Sequence, residues 1–188
     1  MRMEELDICD EQGNPTGQII TRKEAHERGI LHRTAHIWVI QKKGDKIQLL
    51  LQKRSIQKES YPGKLDTSAA GHIQAGDEPL PSAIRELYEE LGIQAKEEEL
   101  IFVDRLHMQY EKEFHGKTFR DNEIIFMYVY DKETSLKDIV IQKEELESVE
   151  WMDAEYVYNA CVNHDPRFCI PEQNIKVFMN YLKKQEMK

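Results

Sequence analysis

In the stretch "RELYEELG" at residues 85–92, Glu86, Glu89 and Glu90 recur at i, i+3 and i+4. The surrounding pattern predicts a helix. At about 100° per residue, Ile84, Leu87 and Leu91 share one narrow apolar stripe while the three carboxylates gather on the other side. Like charges at that spacing repel one another, and Arg85 alone is at hand to interleave with them. A solvated face normally mixes Lys or Arg among its acids. A divalent cation relieves the repulsion differently, and Mg²⁺ favours hard oxygen ligands. The spacing by itself leaves both readings open, but the apolar stripe requires something to pack on, and Gly92 supplies a stop.

The rest of the chain supplies strands for that helix to cover. Residues 3–9 and 17–21 read as short strands around the turn "DEQGNPTG", and "TRKE" at 21–24 reads as a capping box opening a helix that runs to about Gly29. Strands are expected at 32–43 and 45–55, joined by a tight turn at Gly44 and Asp45. A third, short strand is expected over "LDTSAAGHI" at 65–73. The acidic helix is expected to open near Pro81 or Ser82. Long strands at 99–114 and 117–131 meet at His115–Gly116, a strand at 147–153 leads into a helix from Asp153, and a final helix covers 171–184. Strands in the middle with helices around them predict an α+β chain with a mixed sheet. Trp38, Phe126 and Tyr128 alternate as strand core residues do. The polar stretches "YEKEFHGKTF" and "NHDPRF" are candidates for a lid or rim.

Charge narrows the function classes. Thirty-five acids against 26 Lys and Arg give a net charge of −9 in 188 residues, enough chain for one domain with a sizeable core. Such a chain has no general attraction for nucleic acid or an anionic membrane. An anionic substrate would need a metal ion or a local basic cluster. Cys9, Cys161 and Cys169 form no CxxC pair, which argues against a disulfide framework or a structural zinc. With no apolar leader and no 18-residue apolar run, a cytoplasmic location is the expectation.

Residues 71–93, "GHIQAGDEPLPSAIRELYEELGI", resemble the Nudix box, with Gly71, Arg85, Glu86, Leu87, Glu89, Glu90, Gly92 and Ile93 in register. Asp77, followed by Glu78, stands where the box has its first glutamate, on a side chain one methylene shorter. The resemblance implies an α/β/α sandwich in a single domain. It would comprise an N-terminal hairpin and helix over 1–30, a core over 31–160, and a C-terminal loop and helix over 161–188. It implies a hydrolase using Mg²⁺ or Mn²⁺ to cleave a small nucleoside diphosphate-linked or related diphosphate compound. Gly71, His72, Glu86, Glu89 and Glu90 would then form the metal site, with Glu86, Glu89, Arg85 and Glu123 in the catalytic machinery and Arg85 orienting the carboxylates. Homodimers are common in that family.

Outside the box the chain is similar to isopentenyl-diphosphate isomerase, a relative that moves a double bond. "LQKRSIQKESYPGKL" matches its basic segment, so that Arg54 and Lys58 would grip the diphosphate. His72 matches a metal histidine, "DNE" at 121–123 matches its acidic pair, and His32 matches a further histidine, with His36 the weaker candidate. Asp121 and Glu123 point to one face of their strand. Where that isomerase carries a cysteine, this chain has Ala70, which can neither give nor take a proton. Hydrolysis is therefore expected over isomerisation, with a non-catalytic nucleotide sensor as the other alternative.

Overall fold

The computed structural model describes residues 4–186; residue 3, where the first expected strand begins, lies outside them. A two-stranded hairpin of β1 (Glu5–Cys9) and β2 (Pro15–Thr21) leads into α1 (Arg22–Arg28). The Thr21 hydroxyl accepts from the Glu24 N–H at 3.3 Å and donates to the Glu24 carboxylate at 2.8 Å, and Gly29 closes the helix in the left-handed conformation.

The main sheet is mixed. It contains β3 (His32–Lys43), β4 (Lys46–Arg54), β5 (Leu65–Asp66), β6 (Ala69–His72), β7 (Leu100–Phe114), β8 (Lys117–Tyr130) and β9 (Leu146–Asp153). β3 runs parallel to β8 and antiparallel to β4 and β6, while β9 pairs with β4. The strand expected over 65–73 is two strands, because β3 and β4 splay apart beyond their shared turn and each takes a different partner. β5 pairs with β4 and β6 with β3. Between them Ser68 bridges the gap, its hydroxyl accepting from the Val39 N–H at 2.7 Å and donating to the Leu50 carbonyl at 2.5 Å.

Strict alternation loads both faces of the sheet. Trp38, Leu49, Leu51, Ile125, Met127 and Val129 pack with Val157 of α3 (Ala154–Val162) and with Ile175 and Phe178 of α4 (Glu172–Glu186). Ile37, Val39, Leu50, Tyr128 and Tyr130 face the other way, onto Ala83, Leu87 and Leu91 of α2 (Pro79–Leu91). Trp38 and Tyr128 are core residues as expected, and Phe126 packs at the core's edge. The layers are those of an α+β sandwich. No helix among the described residues is long and apolar enough to cross a membrane.

α2 starts two residues earlier than expected. Glu78 is its N-cap, and Pro79 and Pro81 occupy the first turn, where their missing N–H groups cost no intrahelical bond. Gly92 ends it in the left-handed conformation, with φ of 70°.

Candidate active site

The splay of β3 and β4 opens a cleft of about 1050 Å³ whose walls come from β6, α2, the loop after β4 and the β7–β8 hairpin. All three box glutamates line it, but they are not equivalent. Glu89 is exposed, Glu86 is half-buried, and Glu90 is buried, 4% exposed. Glu90, which the spacing puts on the side away from the apolar stripe, is buried all the same. The segment before β9 folds over the end of α2, with the Val140 N–H donating to Leu91 O at 3.1 Å and the Gln142 N–H to Glu90 O at 3.1 Å. The Glu90 carboxylate accepts from the Ala70 N–H at 3.1 Å and from Gln52 at 3.4 Å. Ile84, placed by its spacing in the buried stripe, is only half-buried; Ala83 and Ser82 take the deeper positions.

Arg85 organises the box. Its guanidinium donates to Asp77 at 2.6 Å, to the His72 carbonyl at 3.0 Å and to Glu86 at 3.3 Å. Asp77, the residue that departs from the box, anchors Arg85 and does not line the cleft. Gly71 is where Glu86 rests: a Cβ there would lie 2.2 Å from the carboxylate.

A second group of donors faces the same space. Nitrogens of His26, His32 and His72 lie within 4.8 Å of one another, and His32, Asp121 and Glu123 form an overlapping set. The His32 Nδ1–H donates to Ile30 O at 2.8 Å, which leaves Nε2 as a lone pair pointing inward. That Nε2 and Asp121 Oδ1 are buried and have no hydrogen-bond partner among the described residues. The Nε2 atoms of His26 and His72 meet at 3.1 Å, while their Nδ1 atoms face Arg120 O and Glu4. Glu123 is 4% exposed, with His36 Nε2 at 3.7 Å.

Arg54 and Lys58 both line the cleft, and both already have partners. Arg54 donates to Asp66 at 3.0 Å and to the Ser60 carbonyl at 3.0 Å, and Lys58 pairs with Glu145. The lid and rim candidates are also cleft walls, through Tyr110, Lys112 and Phe119 on one side and His164, Asp165 and Phe168 on the other. Sequence reading missed His26 and Glu145. His26 had no periodic signal, being one histidine on a short basic helix.

Twelve carboxylates and five Lys or Arg side chains line the cleft, so a diphosphate would enter it against a net negative field unless a cation were present. Burial pushes the Glu86 carboxyl up to about 7 and Glu90 up to about 8, with neighbouring acids adding to both. His32, Asp121 and Glu123, two of them with an unpartnered buried atom, are a donor set that fits a divalent cation. The box carboxylates line the same cleft without forming a close cluster of their own among the described residues.

These shifts predict a pH profile. The folded chain keeps protons on Glu86 and Glu90 that the unfolded chain releases near 4.5, so their effect is falling stability as pH rises toward 8. His26, His32 and His36 act in the opposite sense. Burial lowers them to about 2, 4 and 4, so stability falls as pH drops below their ordinary 6.5. Burial raises Asp121 and Glu123 in the same sense as Glu86 and Glu90. Above pH 6.5 the unfolded histidines have already lost their protons, so the melting temperature in chelator should decline toward pH 8, and saturating Mg²⁺ should remove the decline. A flat profile from 6.5 to 8 in chelator would contradict this.

The family described as NUDIX domain has a model that matches residues 30–170. A Clostridium acetobutylicum protein named as a Nudix hydrolase is 40% identical over 147 residues, covering 78% of this chain and 68% of that one. An isopentenyl-diphosphate Delta-isomerase of Pectobacterium atrosepticum is 36% identical over 93 residues, spanning 50% of each chain. The crystal structure of a Deinococcus radiodurans protein superposes with a TM-score of 0.68 over 94% of this chain and 98% of that one, at 18% identity, a likeness of fold.

Proposed function

The chain belongs to the Nudix hydrolase family, and from that premise we propose that it is a divalent-cation-dependent enzyme cleaving the diphosphate bond of a small nucleoside diphosphate-linked or related compound. The observation that carries the reading is that Glu86, Glu89 and Glu90 line one cleft together with Arg54 and Lys58. A bound Mg²⁺ or Mn²⁺ would neutralise the diphosphate and acidify the attacking water.

The chain's own residues divide the remaining work. Glu86, Glu89 and Glu90 hold the cation, with His72 and Glu123 as donors from the histidine side and Gly71 giving Glu86 its room. Arg85 fixes Glu86, being itself fixed by Asp77 and the His72 carbonyl. Glu89 has no hydrogen-bond partner among the described residues and lines the open cleft, so the oxygen it does not give to the cation can accept the water's proton. Lys58 and Arg54 take the phosphoryl oxygens and stabilise the charge that builds on the leaving group.

Ala70 speaks against an isomerase, since its methyl group lines the cleft where a proton donor would be needed. The presence of Glu86, Glu89 and Glu90 speaks against a silent sensor. The reading extends to a small-molecule partner with neither nucleic acid nor membrane, to a cytoplasmic home that suits three free cysteines, and to a homodimer.

The test is diphosphate cleavage with Mg²⁺ or Mn²⁺ across nucleoside triphosphates, ADP-ribose, other nucleotide-linked diphosphates, NADH, coenzyme A and isopentenyl diphosphate. Metal-dependent phosphate release from one class is the expected result. No turnover but tight calorimetric binding of one compound would favour the sensor, and isomerised isopentenyl diphosphate the isomerase.

A further inference from the structure

We propose that Glu145 is the counter-ion which an incoming diphosphate displaces from Lys58, so that Glu145 sets how tightly the cleft takes up its substrate. The proposal rests on the diphosphate reading above and adds a residue that no motif marks.

The two basic residues of the segment after β4 differ in what holds them. Arg54 is braced at several N–H groups, by Asp66 at 3.0 Å and by the Ser60 carbonyl at 3.0 and 3.2 Å, and it fixes the loop's shape. Among the described residues the Lys58 side chain has one partner, the Glu145 carboxylate, and the two side chains keep 24% and 34% of their surface in solvent. An ion pair that open to water is weak. Lysine is a compact charge with three donors and no fixed fork, so it can change partners by rotating its ammonium.

The backbone lets that exchange happen without remodelling. The Ser55 N–H donates to Glu145 O at 2.8 Å and the Lys58 N–H to Ser55 O at 3.1 Å. These bonds hold the two chain segments together whatever the side chains do. The ion pair also sits against the acidic wall. The Gln142 N–H donates to Glu90 O at 3.1 Å and the Glu145 N–H to Gln142 O at 2.9 Å, and Lys58, Glu90 and Glu145 all line the one cleft. A diphosphate bridging from the box carboxylates and their cation to the basic loop meets Lys58 there, in competition with Glu145. Its several charges outweigh one carboxylate. Once released, Glu145 turns to the solvent that already reaches about a third of its surface.

The experiment is calorimetric titration of the full chain with inorganic pyrophosphate in saturating Mg²⁺, for wild type, Glu145→Gln, Lys58→Met and the double variant, with melting curves to verify folding. Removing the competitor should tighten pyrophosphate binding about fivefold in Glu145→Gln, and Lys58→Met should weaken it about tenfold or more. In the Lys58→Met background, Glu145→Gln should change nothing. A merely structural Glu145 would weaken binding on substitution. Unchanged or weaker binding in Glu145→Gln overturns the exchange while leaving the diphosphate reading intact. Equal tightening with and without Lys58 also overturns it, since Glu145 would then act by repulsion through space. If wild type binds no pyrophosphate at all, the exchange falls, while the diphosphate reading is decided by the cleavage panel.

Discussion

Replacing Glu89 by Gln should lower turnover of the preferred diphosphate about 10³-fold, within the range of a lost general base, and leave the fold as stable as before. Glu89 is exposed on α2 and makes no protein hydrogen bond among the described residues, so no packing depends on its charge. Glu90→Gln separates the two effects. Glu90 is buried, and burial pushes its carboxyl up to about 8. Its amide would still accept from the Ala70 N–H while removing a charge that is costly to bury without a cation. Glu90→Gln should therefore also abolish turnover, yet raise the metal-free melting temperature by several degrees at pH 8. The controls are Glu97→Gln, on the exposed turn after α2 and outside the cleft, and Mg²⁺ titration of each variant. Turnover within threefold of wild type in Glu89→Gln would remove it from the machinery. A destabilised Glu90→Gln would mean that the carboxylate is needed structurally.

Local pattern made the α2 box legible because a helix repeats every 3.6 residues and the Gly92 stop is a local event. It also fixed β3, β4, β7 and β8, whose alternation loads two faces of one sheet. What it could not show depends on contacts distant in sequence. Glu90 is buried by a segment some fifty residues downstream, through the Gln142 N–H on its own carbonyl, and helical periodicity carries no trace of that. The strand over 65–73 looked continuous because Thr67 and Ser68 are unremarkable in a strand. Their role arises only where β3 and β4 diverge and Ser68 ties Val39 to Leu50. His26 and His72 are 46 residues apart yet meet at 3.1 Å, so the histidine group could be read only halfway, through His72, His32 and the acids of "DNE". The Asp77 substitution at the box's first acid was legible as a departure, but not as the anchor of Arg85, which needs the loop's path over α2.

Gly71→Ala should cut kcat/KM about 10²-fold or more while the protein still folds. Gly71 is paired with Ala35 in ordinary sheet register, and its backbone is not in the left-handed region, so alanine is tolerated by the main chain. The obstacle is the space above it. A new Cβ would lie 2.2 Å from Cδ and Oε2 of Glu86 and 2.6 Å from Oε1. What gives way is the end of a flexible side chain, so the carboxylate swings off and its 3.3 Å contact with Arg85 breaks. Misplacing a catalytic group by about 1 Å costs on the order of 10²-fold. The melting temperature should move by only a few degrees, because strand pairing and the core survive. The decisive comparison is a double-mutant cycle with Glu86→Gln. If Gly71 matters through Glu86, the pair should be no worse than Glu86→Gln alone, a strong departure from additivity. Its Mg²⁺ requirement should rise in step with that of Glu86→Gln. Additive losses would instead assign Gly71 a contact of its own with cation or substrate, and wild-type activity in Gly71→Ala would show that Glu86 need not rest where the fold now holds it.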